Sequence, residues 1–266
     1  MRKIVVYSCV LAVVIILVTA GYLLMNPGSK PNDLVGTPVS GAQLSQLRAI
    51  ALNSTLANRV GAGSTVNGGM PNYPTPVNDS SSLVVYGKVG IVYVSADYCP
   101  YCAVNRWGLV MALMRFGNFT GLRYMESGSK DVYPDTATFT FSNASYSSGS
   151  IYLDAVETGD INGKPLNAPD ALQTALLTKY DSPGSIPFTV FGNRSTLVGA
   201  MVSPQALQGS SWAQIIAQLN NTSSPTSQAL IGSANIFTAY ICRTRLAGIG
   251  NASACKQAYV KSINGA

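Results

Sequence analysis

The chain contains no histidine and little charge. None of its 266 residues is His, and only 11% are Asp, Glu, Lys or Arg. Without histidine, a zinc site would need four cysteine ligands, and the chain has only five cysteines in all. The net charge of +6 is not gathered in a Lys/Arg run, so nucleic acid is not expected as a partner. No metal or other cofactor is expected.

The N-terminal stretch Ile4–Met25 carries no charge and is long enough to cross a bilayer. Arg2 and Lys3 precede it, which predicts a cytoplasmic N-terminus and an extracellular C-terminal domain. The alternative is a signal peptide cleaved after Ala20. We favour a retained single-pass anchor over residues 1–25, because apolar residues continue past Ala20.

Sequons of the form N-x-S/T support export. They predict surface glycosylation, although a chain rich in Ser, Thr and Asn also forms such triplets by chance. The acceptor candidates are Asn53, Asn78, Asn118, Asn143, Asn193, Asn220, Asn221 and Asn251.

Composition divides the remainder into three parts. Residues 26–82 are rich in Pro, Gly, Ser and Asn and predict a linker. Within it, Ser40 and Gln43 predict the start of an amphipathic helix over about 40–60. Residues 83–221 form the predicted main domain, and residues 222–266 a helical extension with a cysteine pair.

The motif that carries chemistry is C-x-x-C at Cys99 and Cys102. An apolar strand, Gly90–Val94, precedes it, and apolar residues at helical spacing follow from Val104. A thiolate at Cys99 would be stabilised by the first turn of a helix, where Pro100 is also well tolerated. A second thiol one turn further on can resolve a mixed disulfide.

Other roles of this motif remain open. The two cysteines could form a purely structural disulfide, or could share a zinc ion with Cys242 and Cys255. Metal delivery is a further reading, which the absence of His and of a Met-rich tract weakens.

Between this motif and residue 184 the sequence predicts a helix ending at Gly117 and a strand over Leu122–Met125. Two alternating runs, Thr136–Phe141 and Ser150–Val156, predict an inserted β-hairpin. A second helix is predicted to open at Asp170.

Residues 184–219 predict a hairpin followed by a helix. Pro187 should begin a strand, and a cis bond after Ile186 is one way to place it there. Strands Phe188–Phe191 and Thr196–Met201 flank the turn at Gly192. Ser203 is predicted to cap an amphipathic helix that ends at Leu219.

The tail predicts a helix from Pro225 to Cys242, then a Gly/Asn-rich loop and Cys255. In an exported domain these cysteines are expected to form a structural disulfide, stabilising by about 2 to 3 kcal/mol. The alternative is a second redox pair that passes electrons to Cys99 and Cys102.

Together, ADYCPYC after a strand, SIP before the hairpin that carries Gly199, and the closing helix resemble the thioredoxin superfamily over residues 83–221. The resemblance implies a central sheet flanked by helices, with Pro187 in cis beside the cysteines. It implies that Cys99 attacks, that Cys102 resolves, and that Ile186 binds an extended substrate through its backbone.

The resemblance also places Pro100, Tyr101 and Pro187 at the substrate-binding surface, and the Pro-Tyr pair is similar to that of glutaredoxins. Many relatives carry a buried acid where this chain has Tyr93, and Asp97 is expected to be exposed. The anchor, CPYCAxxRW and the C-terminal cysteine pair are similar to an uncharacterised archaeal family of membrane-anchored proteins with a thioredoxin-like domain.

The sequence thus predicts a membrane-anchored, extracytoplasmic thiol–disulfide oxidoreductase. Its expected partners are protein thiols or disulfides, an unknown redox partner that recycles it, and the membrane. The alternative is a glycosylated cell-surface interaction module in which Cys99 and Cys102 form only a structural disulfide.

Overall fold

The structure is a computed structural model that describes residues 32–265, and the fold lies within the unit Leu34–Ala266. The predicted transmembrane helix Ile4–Met25 and Cys9 fall outside the described residues. Within the described range, no helix combines the length and apolarity needed to cross a bilayer.

The chain alternates helices with short strands. The α-helices are α1 Gly41–Leu52, α2 Ser54–Val60, α3 Pro100–Met114, α4 Ala171–Tyr180, α5 Trp212–Leu219, α6 Pro225–Arg243 and α7 Ala258–Gly265. The strands are β1 Thr75–Pro76, β2 Val84–Val85, β3 Lys88–Ser95, β4 Gly117–Thr120, β5 Arg123–Glu126, β6 Ala137–Thr140, β7 Ser145–Ser148, β8 Ile151–Glu157, β9 Phe188–Phe191 and β10 Ser195–Val198. Short 3-10 helices cover Asn32–Leu34, Pro204–Leu207, Ile249–Asn251 and Ser253–Lys256.

Strand β3 is the centre of the main sheet. It pairs in parallel with β8 on one side and antiparallel with β9 on the other. Strands β10 and β1 extend the sheet beyond β9, and β2 pairs with the first residues of β3. The β9–β10 hairpin confirms the predicted turn, in which Gly192 and Asn193 both have positive φ.

The main sheet is covered on both faces, since β3 is buried from Val89 to Ser95. Ile91 and Tyr93 join the larger core with α3 and α6, while Val92 and Val94 join a smaller core with Leu176 of α4. This alternation is the period of a strand with two buried faces. The protein is therefore a mixed α/β fold with a sheet flanked by helices.

The predicted pairing of Thr136–Phe141 with Ser150–Val156 is wrong. Strand β6, from the first run, pairs with β5, and β7 pairs with β4. The second run is β8, which lies against β3 in the main sheet. Alternation shows which residues form strands, but it does not identify the partner strand.

The segment predicted as a linker contributes to the core. Leu47, Ile50 and Ala51 of α1 and Leu56 of α2 are buried, and Thr75–Pro76 adds an edge strand to the main sheet. Ser40 caps α1 as predicted. The expected single helix is divided at Asn53, whose side chain accepts from the Leu56 N–H at 3.0 Å and so caps α2.

Two other helix ends differ from the predictions. Helix α3 ends before Gly117, which begins β4 instead. After Ser203 the chain forms a short 3-10 helix and then a separate α5, whose cap is Ser211. The predicted start of α4 is confirmed, because Asp170 and Gln173 form a capping box.

The tail packs against α3 through α6, which is buried along most of its length. Helices α6 and α3 approach closely at Gly108, where an added Cβ would lie 2.7 Å from the Ser233 Cβ. Cys242, in the last turn of α6, forms the predicted disulfide with Cys255. The tail is thus part of the same core as α3.

Candidate active site

The C-x-x-C motif lies where β3 leads into α3. Cys99 is the N-cap residue of α3, and its Sγ accepts a hydrogen bond from the Cys102 backbone N–H at 3.2 Å. Pro100 occupies the first helical turn, as predicted. Both cysteines are thiols; Cys99 is 6% exposed and Cys102 is fully buried.

The pKa values of the two thiols are shifted in opposite directions. A hydrogen bond from the Cys102 side chain lowers the pKa of Cys99, against burial, which raises it. The Cys102 backbone N–H and the Arg106 guanidinium lower it further. Burial and the neighbouring Cys99 raise the pKa of Cys102 well above its ordinary value. Cys99 is therefore the better nucleophile of the pair.

Strand β9, which follows Pro187, begins beside the Cys99 and Cys102 sulfurs. The Ile186–Pro187 peptide bond is cis, in agreement with the sequence prediction. Ile186 packs against a small cluster formed by Ala96, Cys99 and Cys102. The Pro187 carbonyl accepts from the Gly199 N–H at 2.8 Å, which ties the end of β10 to the same place. The predicted substrate residues Ile186 and Pro187 are thus brought to the cysteines.

Tyr101 within the motif and Tyr98 immediately before it both have exposed side chains. Tyr101 is 44% exposed and makes an edge contact with Tyr133, with ring centroids 6.1 Å apart. Tyr98, immediately before Cys99, is 37% exposed. The sequence pointed to Tyr101 but not to Tyr98 or Tyr133, because neither of these lies within the motif.

Tyr93 and Asp97 lie close to the motif in sequence and make different contacts. Tyr93 is buried, and its hydroxyl donates to the Cys102 carbonyl at 3.2 Å. The expectation that Asp97 is exposed is wrong, because it is 2% exposed. Burial raises the pKa of Asp97 to about 6, against the attraction of Arg106, which lowers it.

A buried ion pair lies on the side of α3 that faces β8. Arg106 donates from Nε to Glu157 Oε1 at 2.9 Å and from Nη2 to Glu157 Oε2 at 2.6 Å. Its Nη2 also donates to the Ala96 carbonyl at 2.6 Å and lies 3.6 Å from Asp97 Oδ1. Ser95 completes the group by donating to Glu157 at 2.6 Å.

The sequence assigned no role to Glu157, and Arg106 entered only as part of the motif CPYCAxxRW. Burial by itself would lower the pKa of Arg106, but Glu157 raises it above its ordinary range. Burial and the nearby Glu157 charge raise the pKa of Asp97, and together they outweigh the attraction of Arg106, which lowers it. The signal available in the sequence was an acid, Glu157, directly after the alternating run Ser150–Val156.

The tail cysteines form a separate site. Cys242 and Cys255 are bonded to each other, with their Cα atoms 5.5 Å apart. Cys242 is buried in the larger core, whereas Cys99 and Cys102 belong to the small cluster with Ile186. The structure therefore does not combine the four cysteines into one set of ligands.

The predicted glycan acceptors are mostly exposed. This holds for Asn53, Asn78, Asn118, Asn143, Asn220, Asn221 and Asn251. The expectation of surface exposure is wrong for Asn193, which is 6% exposed. The Asn193 Nδ2, the atom that would carry a glycan, donates instead to Asp79 at 2.8 Å and to Ser81 Oγ at 2.6 Å.

Comparison with known proteins gives one family match. Residues 77–179 match the family described as "Domain of unknown function (DUF929)". The match contains both cysteines of the motif, Arg106 and Glu157, and it ends before Pro187. No curated protein and no solved structure matches the chain.

Proposed function

We propose that this protein is a thiol–disulfide oxidoreductase that acts on protein thiols or disulfides through Cys99 and Cys102. The observation that carries the proposal is the asymmetry of the pair. Cys99 caps α3 and has a lowered pKa, whereas the buried Cys102 has a raised pKa. An attacking thiolate and a protonated resolving thiol are what stepwise exchange requires.

We also propose that the domain is thioredoxin-like. The support is a parallel β3–β8 pair, the motif between β3 and α3, and an antiparallel β9–β10 hairpin that begins at a cis-proline. Under this proposal the small β4–β7 and β5–β6 pairs are insertions between α3 and β8. Fold alone does not establish activity, so the reaction rests on the cysteine geometry.

The reduction of a substrate disulfide proceeds in two displacements. The Cys99 thiolate attacks one substrate sulfur, forming a mixed disulfide, and the other substrate sulfur leaves as a thiolate. Cys102 then gives up its proton and attacks Cys99 Sγ, which closes the protein disulfide and releases the second substrate thiol. The substrate gains two electrons, the protein loses two, and the leaving thiolate can accept the Cys102 proton. The reverse sequence oxidises a substrate dithiol.

For location, we propose an extracytoplasmic domain held by an N-terminal membrane anchor. The uncharged stretch Ile4–Met25 supports the anchor. The Cys242–Cys255 disulfide supports export, since such bonds persist in oxidising compartments. The seven exposed sequons are compatible with a glycosylated surface. A redox partner outside the cytoplasm would then recycle the pair.

A second candidate is a glycosylated surface module in which the pair is only structural. The low exposure of Cys99, 6%, favours this candidate, because a catalytic sulfur must be reached by its substrate. The lowered pKa of Cys99 favours the oxidoreductase, because a cysteine that only forms a structural disulfide does not require a stabilised thiolate.

Redox titration of the full chain, with mass-tagging of free thiols, separates the candidates. The enzyme predicts that Cys99–Cys102 opens at a potential well above about −300 mV, while Cys242–Cys255 resists reduction. The measured potential would also indicate the direction of exchange. If both pairs resist reduction alike, the enzyme is excluded and the surface module takes its place.

A further inference from the structure

A cleft of about 560 Å³ lies next to the cysteine motif. Tyr98, the residue before Cys99, lines it together with two loops. One loop follows β5 and contributes Ser129, Lys130 and Asp131, while the other follows β8 and contributes Ile161, Asn162 and Gly163. The volume of the cleft lies within the range of ordinary ligand sites.

Both loops are fastened to the residues that lead into Cys99. The Gly128 N–H donates to the Tyr98 carbonyl at 2.8 Å, and the Asp97 N–H donates to the Gly159 carbonyl at 2.8 Å. Gly159 packs directly beneath the Tyr98 ring, where an added Cβ would lie 2.8 Å from Cε1. The position of the cleft relative to Cys99 is therefore fixed by the fold.

The loop after β8 is also held internally. The Asp160 carboxylate accepts from the Asn162 N–H at 2.8 Å and from the Lys164 N–H at 2.9 Å. The side chains of Asn162 and Ser129 are exposed on opposite walls. The cleft thus has two preformed walls before any ligand arrives.

Exposed apolar groups occur in the cleft and in the residues next to its lining. Besides Tyr98 and Tyr101, Val132 in the first loop is 77% exposed, and Tyr133 packs against Tyr101. Lys130 and Asp131 offer one charge of each sign, so neither an acidic nor a basic ligand is selected. Mixed apolar, aromatic and polar groups suit a polypeptide, which presents backbone amides and side chains together.

We propose that this cleft binds the polypeptide segment next to the reacting cysteine of a protein substrate. This inference rests on the proposed exchange reaction and adds the site that would favour polypeptide substrates over small disulfides. A bound segment would hold the substrate sulfur near Cys99 and raise the rate through proximity. Small disulfides would reach Cys99 without using the cleft.

The test compares two probes that share one leaving group. One is the symmetrical disulfide of thionitrobenzoate, and the other is a short peptide whose central cysteine carries the same thionitrobenzoate group. With either probe, the reduced full chain loses two electrons and becomes the Cys99–Cys102 disulfide. The symmetrical probe yields two coloured thiolates, whereas the peptide probe yields one coloured thiolate and one peptide thiol.

The variants place a large ring on each wall of the cleft. Asn162→Trp fills it from the loop after β8, and Ser129→Trp fills it from the loop after β5. The matched control is Asn251→Trp, at an exposed asparagine of the tail. We expect either cleft variant to slow the peptide reaction about tenfold, a change of about 1.4 kcal/mol, and to leave the symmetrical probe within about twofold. The control should change neither rate.

The outcomes distinguish the two proposals. If both cleft variants leave the peptide rate unchanged while the symmetrical probe still reacts, the cleft does not bind the substrate. Equal slowing of both probes also overturns the inference, since it would indicate a change at Cys99 itself. If the unaltered chain reacts with neither probe, the exchange reaction fails and the substrate assignment fails with it.

Discussion

The two cysteine pairs of this protein lie at opposite ends of helices. Cys99 caps the N-terminus of α3, whereas Cys242 lies in the last turn of α6. A helix N-terminus stabilises negative charge and a C-terminus disfavours it. The helix terminus therefore favours a thiolate at Cys99 and disfavours one at Cys242.

The surroundings of the two pairs also differ. The first pair lies beside the buried Arg106–Glu157 ion pair and the strand start at Pro187. Cys242 packs among apolar side chains of the larger core. Exposure does not separate the pairs, since Cys99 is 6% and Cys242 is 7% exposed. They differ in the buried ion pair beside the two thiols and in the disulfide that closes Cys242 and Cys255.

Replacing Cys99 or Cys102 singly is expected to have the largest effect on thiol–disulfide exchange. Cys99→Ser is expected to reduce reaction with a disulfide probe to background, because the nucleophile is lost. Cys102→Ser should still react but stop at a mixed disulfide, which intact-mass spectrometry would detect. Cys99 is not the nucleophile if Cys102→Ser forms no more mixed disulfide than Cys99→Ser, or if Cys99→Ser reacts at the normal rate.

The ion pair beside the first site should matter more for stability than an exposed pair. Glu157→Gln leaves the buried Arg106 charge unmatched, and we expect it to lower the free energy of unfolding by about 3–5 kcal/mol. The control is Lys179→Met, since Lys179 pairs with Asp79 at the surface with its side chain 54% exposed. That change should lower the free energy of unfolding far less, because solvent screens an exposed ion pair. Urea unfolding measures both, and equal losses would contradict the distinction.

The second pair should contribute stability without taking part in exchange. Its cysteines are 13 residues apart in sequence. Replacing both with serine is expected to lower the free energy of unfolding by about 3 kcal/mol, through greater freedom of the unfolded chain. Exchange rates measured with the disulfide probe should stay unchanged. A clear loss of exchange in a folded double variant would support an electron relay between the pairs instead.

Asp97 provides a pH test of the first site. Burial raises its pKa from 3.8 to about 6, so the folded state holds this proton more tightly than the unfolded state. The resulting stability is complete below pH 3.8 and is lost as the pH rises through about 6.

Asp97→Asn removes this dependence. Relative to the unaltered chain, the variant should gain roughly 2 to 3 kcal/mol in unfolding free energy across that interval. Urea unfolding of both proteins at the two ends of the interval gives the difference. A constant difference across the interval would mean that Asp97 ionises in the fold as it does in the unfolded chain.

Local signals identified much of the fold and part of the site. Apolar runs and capping residues located β3, α4, the β9–β10 hairpin and most of α6. The motif located Cys99 and Cys102, and proline in a β-forming run located Pro187. In each case neighbouring residues in the sequence carry the information, so no distant partner had to be known.

Other predictions failed because they depended on distant partners. The run that became β8 was expected to pair with its neighbour in sequence, but the main sheet offered β3, where both of its faces could be covered. Asp97 was expected at the surface, but the hydrogen bond from its N–H to the Gly159 carbonyl and the nearby Arg106 hold it inside. Asn193 was expected to be free for a glycan and is instead bound by Asp79.

The sequence by itself determined the reactive motif and its location before a helix, because spacing and helix capping act over a few residues. Only the tertiary structure decided which charges surround the motif. Arg106 and Glu157 lie 51 residues apart in sequence and meet because β8 pairs with β3. Burial beside this pair then raises the pKa of Asp97, since a charge removed from water depends on its neighbours for stabilisation.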